Sequence, residues 1–150
     1  MLPAVKVSIE KYKDLIDRED WKSLYVKLAE KESATTIGAL SEVLLSAGIN
    51  PLENSKEIYP YFFAGTSLST YEVPEGVEII GESAFALCGG LKEITLPKSV
   101  REMKKDIFIG DFQLRKIIYR GTKEEWLNIE KEPQTWAGTL NTFEICCTKN

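Results

Sequence analysis

The sequence predicts an α/β fold in which a short solenoid of stacked, strand-containing repeats follows a helical N-terminal third. Two observations lead to this prediction. Apolar residues recur at helical spacing before residue 50, and a leucine pattern recurs at a fixed interval after residue 60. A single short repeat cannot bury its own apolar face, so repeats of this kind stack and share one core. We divide the chain into a helical cap, residues 1–50, and a repeat array, residues 51–150.

The N-terminal third contains three helical patterns. We expect Ser8, Asp20 and either Ser33 or Thr35 to be N-caps, because their side-chain oxygens can accept from the first free backbone N–H groups. Gly48 ends the third helix. The apolar faces consist of Ile9, Tyr12, Leu15 and Ile16, then Trp21, Leu24, Tyr25 and Leu28, then Ile37, Leu40, Val43, Leu44 and Ala47. A solenoid needs a cap over its open end, and we expect this bundle to supply one. The alternative is that its polar face also carries a partner site.

The interval of the leucine pattern is 23 residues. It separates Leu68 from Leu91 and Leu91 from Leu114, and apolar residues follow each leucine at the third and fifth positions. Residues two apart point to the same side of a strand, so these positions predict an inward strand face. Pro74 and Pro97 follow the first two strands and prevent further pairing. A period of about 20–29 residues with this spacing is typical of a leucine-rich repeat.

Each repeat continues with a second apolar group and an aromatic segment. The second group is Val77 and Ile80 in one repeat and Val100 and Met103 in the next. Phe63, Phe85 and Phe108 then occupy the same place in successive repeats. We therefore predict that these three rings stack as a buried ladder.

The pattern changes after Leu114, in the segment LRKIIYRGTKEEWLNI. It begins as a strand, lacks the proline, and becomes helical. Thr122 and Glu125 have the spacing of a capping box. We expect Trp126 and Ile129 to face the last repeat, and the helix and a final strand to close the array.

These repeats resemble the BspA-like leucine-rich repeat proteins over residues 48–148. The matching positions are Val73-Pro74, Val77, Ile80-Gly81, Ala84-Phe85, Cys88 and the segment IIYRGTKEEWLNI. TWAGTLNTFEICCTKN is similar to the closing strand of the family, with Lys149-Asn150 where the family usually has Asp-Gly. The resemblance implies a short, right-handed leucine-rich repeat solenoid. It also implies surface display and binding rather than one reaction.

Nothing in the sequence predicts catalysis. The chain has no histidine, which removes the commonest general base and metal ligand, and it has no Walker or GxGxxG motif. We therefore expect no catalytic residue, no metal site, no cofactor and no enzymatic activity. Cys88 is expected to be a packed thiol, and at most one of Cys146 and Cys147 should be reactive, since adjacent strand residues face opposite ways.

The outward positions of the strands predict a protein-binding surface. We expect a non-enzymatic interaction module whose partner contacts Thr70, Glu72, Glu93, Thr95, Lys116, Ile118 and an exposed Trp136. Glu72 and Glu93 could form an acid/base pair, but a solvated strand surface with Lys116 beside Glu93 is the simpler interpretation. Trp21, Trp126 and Trp136 should close the two ends of the core. Two alternatives remain open: a phage or mobile-element inhibitor that occludes a host protein, and a trimmed bacterial surface adhesion protein.

Composition limits the partner classes. The formal net charge is −4 and the sequence pI is about 5.1, which disfavours nucleic acid as the partner. No apolar stretch approaches the length of a membrane span, and the N-terminus lacks the pattern of a secretory signal. Three cysteines make a poor disulfide framework. We therefore expect a cytoplasmic protein with reduced thiols, while the identity of the protein partner and the oligomeric state are left open.

Overall fold

The computed structural model describes residues 1–133, 135–138 and 143–149 of the 150-residue chain. Four helices come first: α1 (Pro3–Lys11), α2 (Lys13–Asp17), α3 (Trp21–Lys31) and α4 (Ala34–Ser46). A fifth helix, α5 (Lys123–Asn128), follows the repeats. No helix among the described residues is long and apolar enough to cross a membrane.

The predicted helix starts are partly correct. Asp20 caps α3 by accepting from the Ser23 N–H, and Ser33 caps α4 by accepting from the Thr36 N–H. The prediction that Ser8 is an N-cap is wrong. The first helix begins at Pro3, whose fixed φ suits the first helical turn, and Ser8 is buried inside it. The predicted first helix is also interrupted at Tyr12, so that α1 and α2 are separate.

The repeats form two parallel four-stranded sheets. The long-strand sheet has the order β2 (Thr70–Glu72), β4 (Glu93–Leu96), β6 (Lys116–Tyr119) and β8 (Glu144–Cys147). The short-strand sheet has the order β1 (Glu57–Ile58), β3 (Ile79–Ile80), β5 (Glu102–Met103) and β7 (Glu130–Lys131). Each strand pairs with the equivalent strand one repeat away, which gives an α/β repeat fold.

The long-strand sheet has the register that the 23-residue interval predicts. Tyr71, Ile94 and Ile117 are direct partners on neighbouring strands, and Ile145 of β8 continues the row. Ile94 and Ile117 are fully buried. The predicted inward face of the strands is therefore confirmed at these positions, and the residues between them point outward.

The short-strand sheet was not predicted. Its strands contain two residues each, and the second apolar groups of the repeats lie in β3 and β5 or two residues before them. Ile58, Ile80 and Met103 are partners in register and are buried. Two residues are too few to show an alternating pattern, so only the recurrence of the apolar group could have indicated this sheet.

The three phenylalanines stack along the array as predicted. The ring centroids of Phe63 and Phe85 are 5.3 Å apart, and those of Phe85 and Phe108 are 6.0 Å apart, with nearly parallel planes in both pairs. All three side chains are buried. The ladder confirms the repeat register through the aromatic segments.

The N-terminal helices pack directly on the first repeat. A Cβ atom at Gly38 of α4 would lie 1.7 Å from the carbonyl oxygen of Ala64, so the two backbones are in contact there. The ring of Tyr25 in α3 stacks on Tyr59 at 5.2 Å and also contacts Phe62. Buried residues of the helices and the repeats therefore form one core cluster.

The other end of the array carries α5 and the last strands. Thr122 and Glu125 form the predicted capping box, with both reciprocal hydrogen bonds present. Trp126 is buried against Tyr119 of the last full repeat, with ring centroids 5.5 Å apart. The ammonium group of Lys131 lies 4.6 Å from the centroid of the Trp126 ring and donates to the carbonyl oxygen of Trp126.

Candidate partner-binding surface

Six of the seven predicted contact residues lie together on the outward side of the long-strand sheet. We call this surface, formed by Thr70, Glu72, Glu93, Thr95, Lys116 and Ile118, the outer face. Thr70, Glu93 and Lys116 form one row across β2, β4 and β6. Glu72, Thr95 and Ile118 form the next row. The parallel pairing of equivalent strands brings these residues together, because each comes from the same position of a different repeat.

The charges of the outer face are largely compensated. The Lys116 ammonium nitrogen is 3.8 Å from a Glu93 carboxylate oxygen, and Arg120 Nη2 is 3.0 Å from Glu72 Oε1. Each carboxylate thus has its own cationic partner, as the solvated-surface interpretation predicts for Glu93. The face is also chemically mixed, because a partly buried Ile118 lies between polar neighbours. The separate ion pairs of Glu72 and Glu93 argue against an acid/base pair formed by these two carboxylates.

Trp136, the seventh predicted contact residue, lies apart from the outer face. It is partly buried in an aromatic cluster, 5.8 Å from Trp126, 5.9 Å from Phe143 and 6.5 Å from Phe108 between ring centroids. The prediction that it is exposed is wrong. Its polar neighbours in the sequence suggested a surface position, but its backbone carbonyl pairs with Ile107 and draws the ring onto the ladder.

Cys88 is a packed thiol, as expected. Its Sγ lies 3.2 Å from the carbonyl oxygen of Phe63, and burial raises the pKa of the thiol to about 11. Its backbone N–H donates to Oδ1 of Asp111 over 2.7 Å. Burial raises the pKa of the Asp111 carboxyl to about 8, and no described residue forms a hydrogen bond with its buried Oδ2.

The two adjacent cysteines of β8 are both partly buried. Cys147 is in register with the buried Tyr119 and packs against the core, whereas Cys146 is in register with Ile118 on the outward side. Their opposite directions match the expectation for adjacent strand residues.

Sequence reasoning missed one exposed feature beside the outer face. Of the aromatic residues, all of which the structure describes, Phe112 alone is exposed, with 71% of its surface accessible. It lies in the bend that leads into β6, and Gly89 occupies the equivalent place 23 residues earlier. The sequence did contain a signal for this feature, namely a phenylalanine at a position where the preceding repeat has glycine.

The family model described as the BspA type leucine-rich repeat region matches residues 47–129, with six copies. The match begins directly after α4 and ends directly after α5, and it covers more than half of the chain. Repeats of this kind are commonly protein-interaction modules and are generally non-enzymatic. No curated protein and no solved structure matches the chain.

Proposed function

We propose that this chain, which belongs to the BspA-type leucine-rich repeat family, is a non-enzymatic module that binds a protein partner across its outer face. The observation that carries the proposal is the alignment of six outward side chains on three adjacent strands, over inward positions that are committed to the core. Core residues cannot leave the interior without unfolding the repeats. The outward side chains, in contrast, are available to a partner at little cost.

The chemistry of the side chains supports the absence of a reaction. The sequence contains no histidine, and burial keeps the thiol of Cys88 protonated at neutral pH. A thiol with a raised pKa is a poor nucleophile, and the sequence has no histidine that could activate it. The proposal therefore includes no cofactor and no metal.

In this proposal the four N-terminal helices cap the array. Support comes from the backbone contact between Gly38 and Ala64 and from the stacking of Tyr25 on Tyr59. These contacts cover apolar groups of the first repeat that water would otherwise reach. A fragment of residues 50–150 should aggregate or unfold. A cooperative melt of that fragment as a monomer would contradict the capping role and make the helices an independent domain.

The binding site is tested by reversing the charges of the outer face. Glu72→Lys, Glu93→Lys and Lys116→Glu are combined in one variant, which is compared with the unchanged chain in capture from a lysate of the source organism. We expect loss of the captured partner, with little change in melting temperature, since surface substitutions usually change stability by about 0.5 kcal/mol or less. Mass spectrometry identifies the partner and measures its depletion.

The matched control reverses charges on the polar side of the helices, at Lys11, Asp14, Lys22 and Lys27. The melting temperature of both variants is measured, because Lys22 forms an ion pair with Glu57. If the partner survives reversal on the outer face but is lost in the control, the helices are the binding module and the repeat is their scaffold. A second surface to test is the exposed edge of α5 at Lys123 and Glu124.

A further inference from the structure

Beside the outer face, the structure combines an exposed aromatic ring with two cationic side chains that pair with no described carboxylate. Phe112 lies in a bend closed by the Leu114 N–H, which donates to the Asp111 carbonyl oxygen over 3.2 Å. The equivalent bend of the preceding repeat is closed in the same way, from Leu91 to Cys88, around Gly89 and Gly90. The fold therefore does not require a large apolar side chain at position 112.

A second exposed apolar side chain lies next to this bend. Leu87 is 48% exposed, and a Cβ atom at Gly110 would lie 2.8 Å from its Cδ2. The backbone of Leu87 is fixed to the same segment, because its N–H donates to the Ile109 carbonyl oxygen over 2.7 Å. Leu87 thus lies against Gly110, which comes two residues before Phe112 in the chain.

Lys92 and Arg115, the two cations near this bend, form no ion pair with any carboxylate that the structure describes. Within residues 47–129, which the structure describes completely, every lysine and arginine forms an ion pair with a described carboxylate except Lys92, Arg115 and Lys123. Lys92 and Arg115 are exposed neighbours on adjacent repeats, since the Arg115 N–H donates to the Lys92 carbonyl oxygen over 3.0 Å. Arg115 lies three residues after Phe112.

The nearby carboxyl groups that the structure describes do not neutralise the positive charges of Lys92 and Arg115. Glu93 is directed to Lys116, and Glu144, whose backbone N–H donates to the Arg115 carbonyl oxygen, forms no ion pair with Arg115 or Lys92. Asp111 is buried, and its raised pKa keeps most of the carboxyl uncharged at neutral pH. A chain with a net charge of −4 therefore presents a local cationic site beside its most exposed aromatic ring.

We propose that Leu87, Lys92, Phe112 and Arg115, which we call the aromatic rim, bind an acidic protein segment that places an apolar side chain on Phe112. Arginine binds a carboxylate with two parallel hydrogen bonds, and an aromatic ring surrounded by polar groups is a typical anchor at an interface. A short acidic segment satisfies both requirements. A nucleic acid fits less well, because the net negative charge of the chain repels a long polyanion. This inference is separate from the outer-face proposal.

The test uses the full chain, labelled with ¹⁵N, and a synthetic peptide in which acidic residues flank a Leu-Phe pair. We expect saturable shifts of the backbone amides at the aromatic rim, with weaker affinity as salt is raised. Phe112→Ala and Arg115→Glu should each weaken binding by about tenfold. A peptide with glutamine and asparagine in place of the acidic residues should lose most of the affinity.

Matched controls come from α5. Leu127 is 68% exposed, and Lys123 is exposed and pairs with no carboxylate that the structure describes. Leu127→Ala and Lys123→Glu therefore remove an exposed apolar side chain and reverse an exposed positive charge at another place. Both controls should bind the peptide with unchanged affinity. Several results would overturn the proposal: no saturable shift at about 1 mM peptide, equal losses in the control variants, a response centred on the outer face, or tighter binding of oligothymidylate than of the acidic peptide.

Discussion

Arg120 and Glu72 form an ion pair across the long-strand sheet although they are 48 positions apart in the chain. Nη2 of Arg120 lies 3.0 Å from Oε1 of Glu72, and both side chains are about half exposed or more. The pair joins the segment before one proline to the end of a strand two repeats later. Stacking of equivalent strands is what brings the two residues together.

This pair should contribute little to stability. In a double-mutant cycle of Glu72→Gln and Arg120→Gln, we expect a coupling energy below about 1 kcal/mol, because water screens exposed ion pairs. Urea unfolding of the four proteins measures the coupling. A larger value that persists at high salt would mean that the pair is more rigid than its exposure suggests.

Phe85→Ala should be severely destabilising. Phe85 is fully buried between the rings of Phe63 and Phe108, so truncation leaves a cavity that costs about 3–5 kcal/mol of unfolding free energy. Chemical denaturation measures this loss. Phe112→Ala is the matched control, because Phe112 is exposed and its truncation should change the unfolding free energy by about 0.5 kcal/mol or less. Equal losses in the two variants would refute the ladder.

Gly38→Ala tests the contact between α4 and the first repeat. Helix propensity favours alanine by about 1 kcal/mol, but the new Cβ would lie 1.7 Å from the Ala64 carbonyl oxygen. The backbones must separate, so we expect a net loss of about 1–3 kcal/mol in thermal or urea unfolding. Gly89→Ala is the control, since a Cβ atom at Gly89 would meet no other atom within 4 Å and the φ of this residue is not positive. A stabilised Gly38→Ala variant would contradict the close packing of α4.

Stability should fall as pH rises because of Asp111. Its pKa is 3.8 ordinarily and about 8 in the fold, so between these values the folded protein holds a proton that the unfolded chain releases. The folded state then loses relative stability with rising pH, by at most about 1.4 kcal/mol per pH unit. Histidine is the side chain that usually titrates in this pH range, and the sequence has none. No histidine titration therefore overlaps the effect of Asp111.

Asp111→Asn removes the titration and should flatten the decline in unfolding free energy between about pH 5 and about pH 8, a range that lies inside the window set by the two pKa values. Glu53→Gln, which changes an exposed carboxylate, should leave the decline unchanged. Urea unfolding at several pH values compares the three proteins. An identical slope in the Asp111→Asn variant would show that Asp111 is not the titrating group.

The sequence was most informative where a pattern repeated. The interval from Leu68 to Leu114 predicted the strands, their register and the phenylalanine ladder, because identical repeats must occupy equivalent places in a shared core. The same regularity predicted the six residues of the outer face. Local chemistry sufficed for the capping box of Thr122 and Glu125, since both partners lie within one helical turn.

The predictions from sequence failed where contacts between residues far apart in the chain determine the local structure. The short-strand sheet pairs residues from different repeats, and its two-residue strands show too little local pattern to be detected. Trp136 is partly buried by Trp126 and Phe143 rather than by its sequence neighbours. Ser8 has the chemistry of an N-cap, but Pro3 starts the helix earlier. Phe112 was not predicted, because the repeat pattern rests on apolar residues that recur at equivalent positions. Phe112 instead stands where the preceding repeat has Gly89.

The parallel pairing of equivalent strands also determines how the array should respond to force. Among the described residues, the backbone hydrogen bonds between repeats join neighbours along the stacking direction. A force applied to the two ends should therefore unzip the strand pairs one repeat at a time. It should not shear all the strand pairs at once. Each released repeat of 23 residues adds about 80 Å of extended chain. The protein should thus lengthen at low force, in steps of about one repeat each.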